Sequence, residues 1–326
     1  MENQIWKPEY AFTPGENTPL FTIGSYSAHV YSFMIMFGIL ASVLTIAFFW
    51  MREKYKIETL LTLVIITIPM SFIGARLGYV IEALIYQENP FQNSAWWKVW
   101  EGGLSIQGGI IVAFIADMLY VYYKRKEIDM RKAMSFIIPT ILIGQVIGRW
   151  GNYANHEVYG QIDWTGKSVL IFGKNFASNM FITDSYSKAI LNSDEGAYRV
   201  PLFLYESLLN LVGYLIIVWV FNLFGIFKPG STSGLYFFFY GIVRIVMEPM
   251  RQESFGLYTY TAAIFIIFGA LLFIYFQFLS RVLYKKEWKK YYYTYTMINQ
   301  EQYNLWVDKT CLVTMLKRKF KKVKNV

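Results

Sequence analysis

Long apolar runs alternate with short charged connectors along the chain, and the runs define its elements. Seven of them, at 29–50, 58–85, 103–123, 133–150, 203–224, 234–251 and 258–283, approach or exceed the about 20 residues that a helix needs to cross a hydrocarbon core of about 30 Å. They predict helices, because backbone facing lipid must satisfy its own hydrogen bonds. The expectation is an all-α polytopic membrane protein with seven transmembrane helices.

The segments between the runs differ in kind. Residues 1–28 form an N-terminal segment without a basic stretch before the first apolar run, unlike a cleaved signal peptide. Residues 86–102, with three tryptophans, suggest an interfacial amphipathic arm. Residues 151–202 are polar and long enough for a small extracytoplasmic head. The span region 29–283 therefore carries an arm and a head, and 284–326 follows as a basic, aromatic tail, expected as a solvated or membrane-apposed helix.

Charge then orients the chain. Most of its 31 lysines and arginines fall on one side: Arg52, Lys54 and Lys56, then Lys124–Lys126, Arg131 and Lys132, then Lys228 and the tail from Arg281 onward. The opposite side holds only Lys7, Lys98, Lys167, Lys174, Lys188 and Arg199. By the positive-inside rule the N-terminus is expected outside and the C-terminus in the cytoplasm. The net charge of +9 is thus a topology signal, with a tail near anionic lipid, and not a nucleic-acid footprint.

Composition agrees: 55% of residues are apolar and 16% charged, against about 25% charged in soluble domains. A soluble enzyme, a disulfide scaffold and a disordered chain are excluded. One cysteine, Cys311, cannot form an intramolecular disulfide, and two histidines, His29 and His156, leave no Cys/His zinc site.

Ionisable residues inside spans are costly and point to function. Arg76 lies between Gly74 and Gly78, and suits either an arginine–glutamate or arginine–carbonyl contact or a lipid headgroup. In YGIVRIVMEPMRQES, Tyr240, Arg244, Glu248 and Arg251 share one helical face, and Pro249 should bend or end that helix. Two arginines for one carboxylate leave positive charge for an anion such as a phosphate. The densest motif is GRWGNYANHEVYG at 148–160, which packs Arg149, Asn152, Asn155, His156, Glu157 and Tyr159 between Gly148, Gly151 and Gly160. Packing alone requires no such collection at a membrane boundary. A glycine cluster, EGGLSIQGGI at 101–110, opens the third run and would let a helix N-terminus approach an anion.

These motifs resemble those of bacterial prolipoprotein diacylglyceryl transferases. GRWGNYANHEVYG is similar to the family signature GRxGNFxNxExxG, HVYSF at 29–33 to HWYG, and GARLGY at 74–79 to GxRxGY. EGGLSIQGG at 101–109 is similar to xGGxSxHGG, RVPLFLYE at 199–206 to RHPxQLYE, and YGIVRIVMEPMRQ at 240–252 to YGxxRxxxExxRxP. Six blocks stand in the right order over about 225 residues.

The resemblance implies a bacterial cell-membrane enzyme that moves the diacylglyceryl group of phosphatidylglycerol onto the lipobox cysteine of prolipoprotein signal peptides, with no cofactor or metal. Carried onto this sequence, Arg149 and Arg244 would bind the phosphate and stabilise the leaving group. Tyr31 would be a functional tyrosine, and Glu157 would orient an arginine or accept a proton. Asn152, Gly160, Glu248, Arg251 and Arg76 would shape the substrate site, with Glu206 as a structural residue. Gln107 stands where the family has a histidine and cannot act as a general base. Gln107 would instead line the substrate site, and His156 or thiolate stabilisation by the arginines would replace the base, although His156 reads more readily as an ordinary loop histidine. The motifs around Arg199 and after Arg251 also depart from the family's, as a divergent member would. The competing reading is a lipid or solute transporter whose intramembrane arginines bind an anion, although no internal repeat supports it. A noncatalytic scaffold of internal ion pairs is disfavoured by the excess arginine.

Overall fold

The structure is a computed structural model that describes residues 5–17, 19–24, 26–86, 91, 95–98, 103–252 and 256–311. Most of the expected arm at 86–102, together with Gly102, Glu253, Ser254 and residues 312–326, lies outside the described residues.

A hairpin, β1 (Pro19–Ile23) and β2 (Tyr26–His29), leads into α1 (Val30–Arg52), α2 (Ile57–Tyr86) and α3 (Ile106–Tyr123). The fourth apolar run forms α4 (Met130–Ile137) and α5 (Ile141–Ala154), joined by a 3₁₀ turn at Ile138–Thr140. Pro139 causes the break, because it cannot donate to the helical ladder. Between α5 and the next long helix lie α6 (Lys167–Leu170), α7 (Lys174–Asn179), β3 (Phe181–Ile182), α8 (Ser185–Leu191) and β4 (Ala197–Tyr198). Then come α9 (Leu202–Gly213), which runs through a π-helical stretch, Tyr214–Val220, into α10 (Phe221–Leu223), and α11 (Ser231–Met247) and α12 (Gly256–Ile274). The last described elements are β5 (Tyr284–Lys289), β6 (Tyr292–Met297) and α13 (Gln300–Thr310).

Among the described residues, five helical stretches are long and apolar enough to cross a membrane: Val30–Arg52, Ile57–Tyr86, Met130–Ala154, Leu202–Leu223 and Tyr258–Leu279. The helices of the third and sixth runs, α3 and α11, are shorter, at 18 and 17 residues. Pro249 does end α11, which passes into a 3₁₀ turn at Glu248–Met250. The tail departs from the expected helix: among its described residues β5 and β6 are strands and α13 is helical.

The chain forms two compact units. The first comprises Met1–Ile46 and Met134–Thr296, the second Ala47–Ala133 and Met297–Val326. In the first, residues 5–17 are drawn into the segment after α5, where Phe12 N donates to Phe181 O and Thr183 N to Phe12 O. The small core there is Val169, Ala177, Met180, Phe181, Tyr198, Phe203 and Leu204, with Trp6 and Tyr153 packed against it. Helices α5, α9 and α11 meet beside this core. Ser207 Oγ on α9 donates to the Val146 carbonyl on α5 at 3.1 Å, and Gly213 faces the Phe239 ring of α11.

In the second unit α2 and α3 pack backbone to backbone. A Cβ on Gly74 would fall 2.5 Å from the Gly108 carbonyl oxygen, and one on Gly78 2.8 Å from the Gly108 Cα. Small residues permit this approach, which in lipid replaces the hydrophobic drive to associate. The glycines read as a ligand approach at 101–110 therefore serve, at Gly108 and Gly109, the contact with α2. At the other end of this unit Arg125 holds α13: its Nη2 donates to Val307 O and to Thr310 Oγ1, and its guanidinium lies 3.7 Å from the Tyr122 ring centroid.

Candidate active site

The ends of α5, α9 and α11 converge on a cluster of five charged side chains. Arg149, on the last turns of α5, donates from Nη1 to Asn152 Oδ1 at 3.1 Å and pairs through Nη2 with Glu206 Oε1 on α9. The other oxygen of Glu206 lies 3.8 Å from Arg251 Nη2. Glu248 Oε2 pairs with Arg244 Nη2 at 2.9 Å and lies 3.9 Å from Arg251 Nε. Tyr240, one turn along α11 from Arg244, lies in the field of all three arginines and of Glu206.

The exposures within this cluster are unequal. The Glu206 and Glu248 side chains are 1% and 2% exposed, whereas the three arginines retain between 11% and 19%. The carboxylates are sealed behind, and the guanidiniums form the accessible face. Three arginines on two carboxylates leave one positive charge in the paired set. Glu157 stands on the far side of Asn152, whose Nδ2 donates to its Oε2 at 3.3 Å. Fixed guanidinium forks facing a partly accessible space are the preorganised donors that an anionic group losing a bond requires.

Backbone geometry explains the glycines of the dense motif. Gly151 faces α1, where a Cβ would fall 2.9 Å from Tyr31 Cδ2, so Tyr31 sits against the turn that carries Arg149 and Asn152. Tyr31 also lies in the field of Glu157 and Arg149. Gly160 bridges to Arg251 in antiparallel fashion, and its N–H donates to Val200 O at 2.9 Å. A Cβ there would meet Met250 O at 3.0 Å. The motif thus begins at Arg149 and ends clamped onto Arg251. Between them the chain doubles back through His156 (φ +53°) and Val158 (φ +57°). A β-branched residue in that region is strained, and such strain clusters at functional sites.

Among the expected residues, the first unit brings together Tyr31, Arg149, Asn152, Glu157, Gly160, Arg244, Glu248 and Arg251. Glu206, read as structural, proves to be the bridge between Arg149 and Arg251. Arg76 and Gln107 belong to the second unit. Arg76 donates from Nε to Trp96 O at 2.6 Å, from Nη1 to Gly103 O at 3.0 Å and from Nη2 to Ala95 O at 3.2 Å. That is the arginine–carbonyl contact. Gln107 is exposed on the first turn of α3, where Ser105 Oγ donates to Glu82 Oε1 at 2.6 Å. His156 is packed: its Nδ1 lies 2.9 Å from Asn179 O, and its ring stacks on Phe12 with centroids 3.9 Å apart.

Sequence reasoning missed Arg199 as an anchor. Fully buried, it pairs with Asp184 at 2.6 Å, donates to Gln252 Oε1 at 3.0 Å and lies over the Tyr159 ring. Tyr159 OH in turn donates to Asp184 Oδ2 at 2.9 Å. The dense motif and the residue after Arg251 are thereby tied to the same buried ion pair.

Apolar helices of spanning length and a cluster of three arginines on two buried carboxylates define the class, a multi-pass membrane protein. The sequence profile of the prolipoprotein diacylglyceryl transferase family matches residues 18–276. The phosphatidylglycerol–prolipoprotein diacylglyceryl transferase of Mycoplasmopsis pulmonis is 51% identical over 263 residues, covering 80% of each chain. Proteins of the same name from Streptococcus agalactiae and Streptococcus uberis are each 32% identical, covering 78% and 71% of this chain and 93% and 82% of their own lengths. The chain belongs to the prolipoprotein diacylglyceryl transferase family.

Proposed function

We propose that the chain transfers the diacylglyceryl group of phosphatidylglycerol to the lipobox cysteine thiol of prolipoproteins, the first step of lipoprotein maturation in the bacterial cell membrane. The observation that carries this reading is the cluster's asymmetry, with sealed carboxylates behind guanidiniums that keep an accessible face. Family membership disfavours the transporter reading, since the relatives bear the names of transferases.

In this scheme the cysteine sulfur attacks the glycerol carbon that bears the phosphate. The carbon–sulfur bond forms as the carbon–oxygen bond breaks, the thiol proton leaves to a base or water, and glycerol phosphate departs. Arg149 and Arg244 hold the phosphate and offset the charge that grows on the leaving oxygen. Glu206 and Glu248 fix these arginines, and Arg251 lies between the two carboxylates. Asn152 and Glu157 set the Arg149 side of the site, and Tyr31 closes it from α1. The membrane arrangement that goes with this reading is seven crossings, with α3 and α11 completing the five longer spans. The N-terminus and the segment after α5 lie outside, and the basic tail is cytoplasmic.

The test is reconstitution of the full chain with phosphatidylglycerol and a lipobox peptide, read by mass for the diacylglyceryl adduct. Adduct from the wild type, lost in Arg149→Ala, supports the reading and shows that Gln107 suffices where the family signature has histidine. Adduct from Gln107→His alone would mean that the missing imidazole disables the site. Silence from both folded proteins overturns the reading for these substrates.

A further inference from the structure

The arginines and carboxylates hold one another, but the polar layer beneath them is not explained by that pairing. One turn further along α9 from Glu206, Asn210 is 0% exposed, and among the described residues neither its Nδ2 nor its Oδ1 has a hydrogen-bond partner. One turn back along α5 from Arg149, Gln145 Oε1 is likewise buried and unpartnered. On α11, Tyr236 stacks on Tyr240, the ring next to the arginines.

These residues occupy one layer. Helices α5 and α9 pair Glu206 with Arg149 and Ser207 with Val146, so the next inward residues of that face are Asn210 and Gln145. The polar seam thus continues one helical turn, about 5.4 Å, from the arginines toward the helix middles. A buried amide with no partner is destabilising, a cost that an apolar residue of similar size would avoid. Such a group persists in a core where a ligand or water satisfies it.

We infer that Asn210, supported by Gln145, is the subsite that reads the hydroxyls of the glycerol headgroup on the phospholipid donor. An asparagine amide offers a donor and an acceptor side by side, and each hydroxyl of a diol both donates and accepts. An ester carbonyl, the other polar group of a diacyl phospholipid, only accepts and would leave Asn210 Oδ1 unpaired. The headgroup hydroxyls are a few covalent bonds from the phosphate, within reach of a layer one turn from the arginines. The inference rests on the transferase reading and deepens it: Asn210 determines which anionic phospholipid is used, while the arginines bind any phosphate.

The experiment compares three donors with one lipobox peptide: phosphatidylglycerol, phosphatidylpropanol (whose headgroup lacks both hydroxyls) and dialkyl-ether phosphatidylglycerol (which lacks the ester carbonyls). The wild type is expected to prefer phosphatidylglycerol over phosphatidylpropanol by about tenfold or more, the value of a hydrogen bond of about 1.4 kcal/mol. Asn210→Leu should bring that ratio to about two or below, chiefly through a higher KM for phosphatidylglycerol, with kcat/KM for phosphatidylpropanol little changed. Gln145→Leu should lower it in the same sense and carries the test if Asn210→Leu does not fold. An unchanged ratio in a folded, active variant overturns the inference. So does a variant that loses discrimination against the ether lipid instead, which would make Asn210 a reader of the esters. A wild type that forms no adduct with any donor brings down the transferase reading itself, and this subsite with it.

Discussion

Two intramembrane arginines, Arg149 and Arg76, look alike in sequence, each flanked by glycine and followed by a glutamate a few residues on. Their surroundings differ in kind. Arg76 gives its donors to three backbone carbonyls, neutral acceptors that fix a loop. Arg149 faces a sealed carboxylate and an amide that leads on to Glu157. The glycines differ too. Gly74 and Gly78 bring two helices together, whereas Gly151 and Gly160 let a strained turn close on Tyr31 and on Arg251. An arginine in a span is therefore diagnostic of function only through its partners, because carbonyls consume it and buried carboxylates hold it ready.

The sharpest way to break the comparison is Arg149→Ala. It removes the nearer of two partners of a carboxylate that is 1% exposed, leaving Arg251 at 3.8 Å, and breaking a buried pair costs up to about 3–5 kcal/mol. On the proposed mechanism it also removes a donor to the phosphate, worth about a hundred- to a thousandfold in rate. Adduct formation should fall by at least that factor, with a lowered melting temperature in detergent. The Arg149→Ala/Glu206→Gln double variant should regain thermal stability without regaining transfer. Recovery of both would reduce Arg149 to a structural ion pair.

Next in size is the packing of the second unit. A leucine at Gly108 would place its Cβ 2.4 Å from the Gly74 carbonyl oxygen and 2.7 Å from the Gly78 Cα. Backbone cannot yield as a side chain can, so Gly108→Leu should cost about 1–3 kcal/mol or more. Thermal unfolding of purified protein should show it, and Gly108→Ala should fall between wild type and leucine. A stable Gly108→Leu protein would refute the close α2–α3 contact and restore a ligand role for these glycines.

The sequence exposes the site's chemistry better than its wiring. Arg149, Asn152 and Glu157 are legible because three polar side chains crowd one short motif, and Arg244, Glu248 and Arg251 because helical spacing puts them on one face. Glu206 reads only as structural, and which arginines it holds, Arg149 and Arg251, is set by tertiary contact that leaves no spacing to read. Asn210 and Gln145 are silent for a related reason: a lone amide in an apolar run carries no periodic signal, and only burial without a partner marks it. In the tail, the run of lysines conceals a usable cue. The tyrosines and threonines of Tyr292–Met297 favour a strand, and β6 forms there against the helical expectation.

Lysine substitution refines the comparison further. Arg244→Lys replaces a planar fork with a point charge, so KM for phosphatidylglycerol should rise and kcat fall together. Arg76→Lys should leave KM within about twofold and lower the melting temperature by about 2–4 °C, the effect of about 1 kcal/mol in a larger protein. If Arg76→Lys instead raises KM as Arg244→Lys does, Arg76 touches substrate and the two arginines are not different in kind.

The smallest effect separates the segment after α5 from the site it supports. Asp163 accepts from Thr165 N and Oγ1 at 3.0 and 2.8 Å and from Ser168 N and Oγ at 2.8 and 2.6 Å. Burial pushes its carboxyl up, but the hydrogen bonds from Ser168 and Thr165 together hold it below the usual carboxylate value. Because the folded pKa is the lower one, the contribution to stability is full above the unfolded value of about 3.9 and is lost as pH falls through it toward the folded value. Asp163→Asn should therefore lower the melting temperature slightly at neutral pH, by the effect of about 1 kcal/mol, and the difference from wild type should shrink on acidification below about pH 4. Transfer per folded molecule should stay unchanged, since no member of the arginine cluster bonds to Asp163. A loss of transfer without a loss of stability would place this turn in the reaction and erase the boundary between support and site.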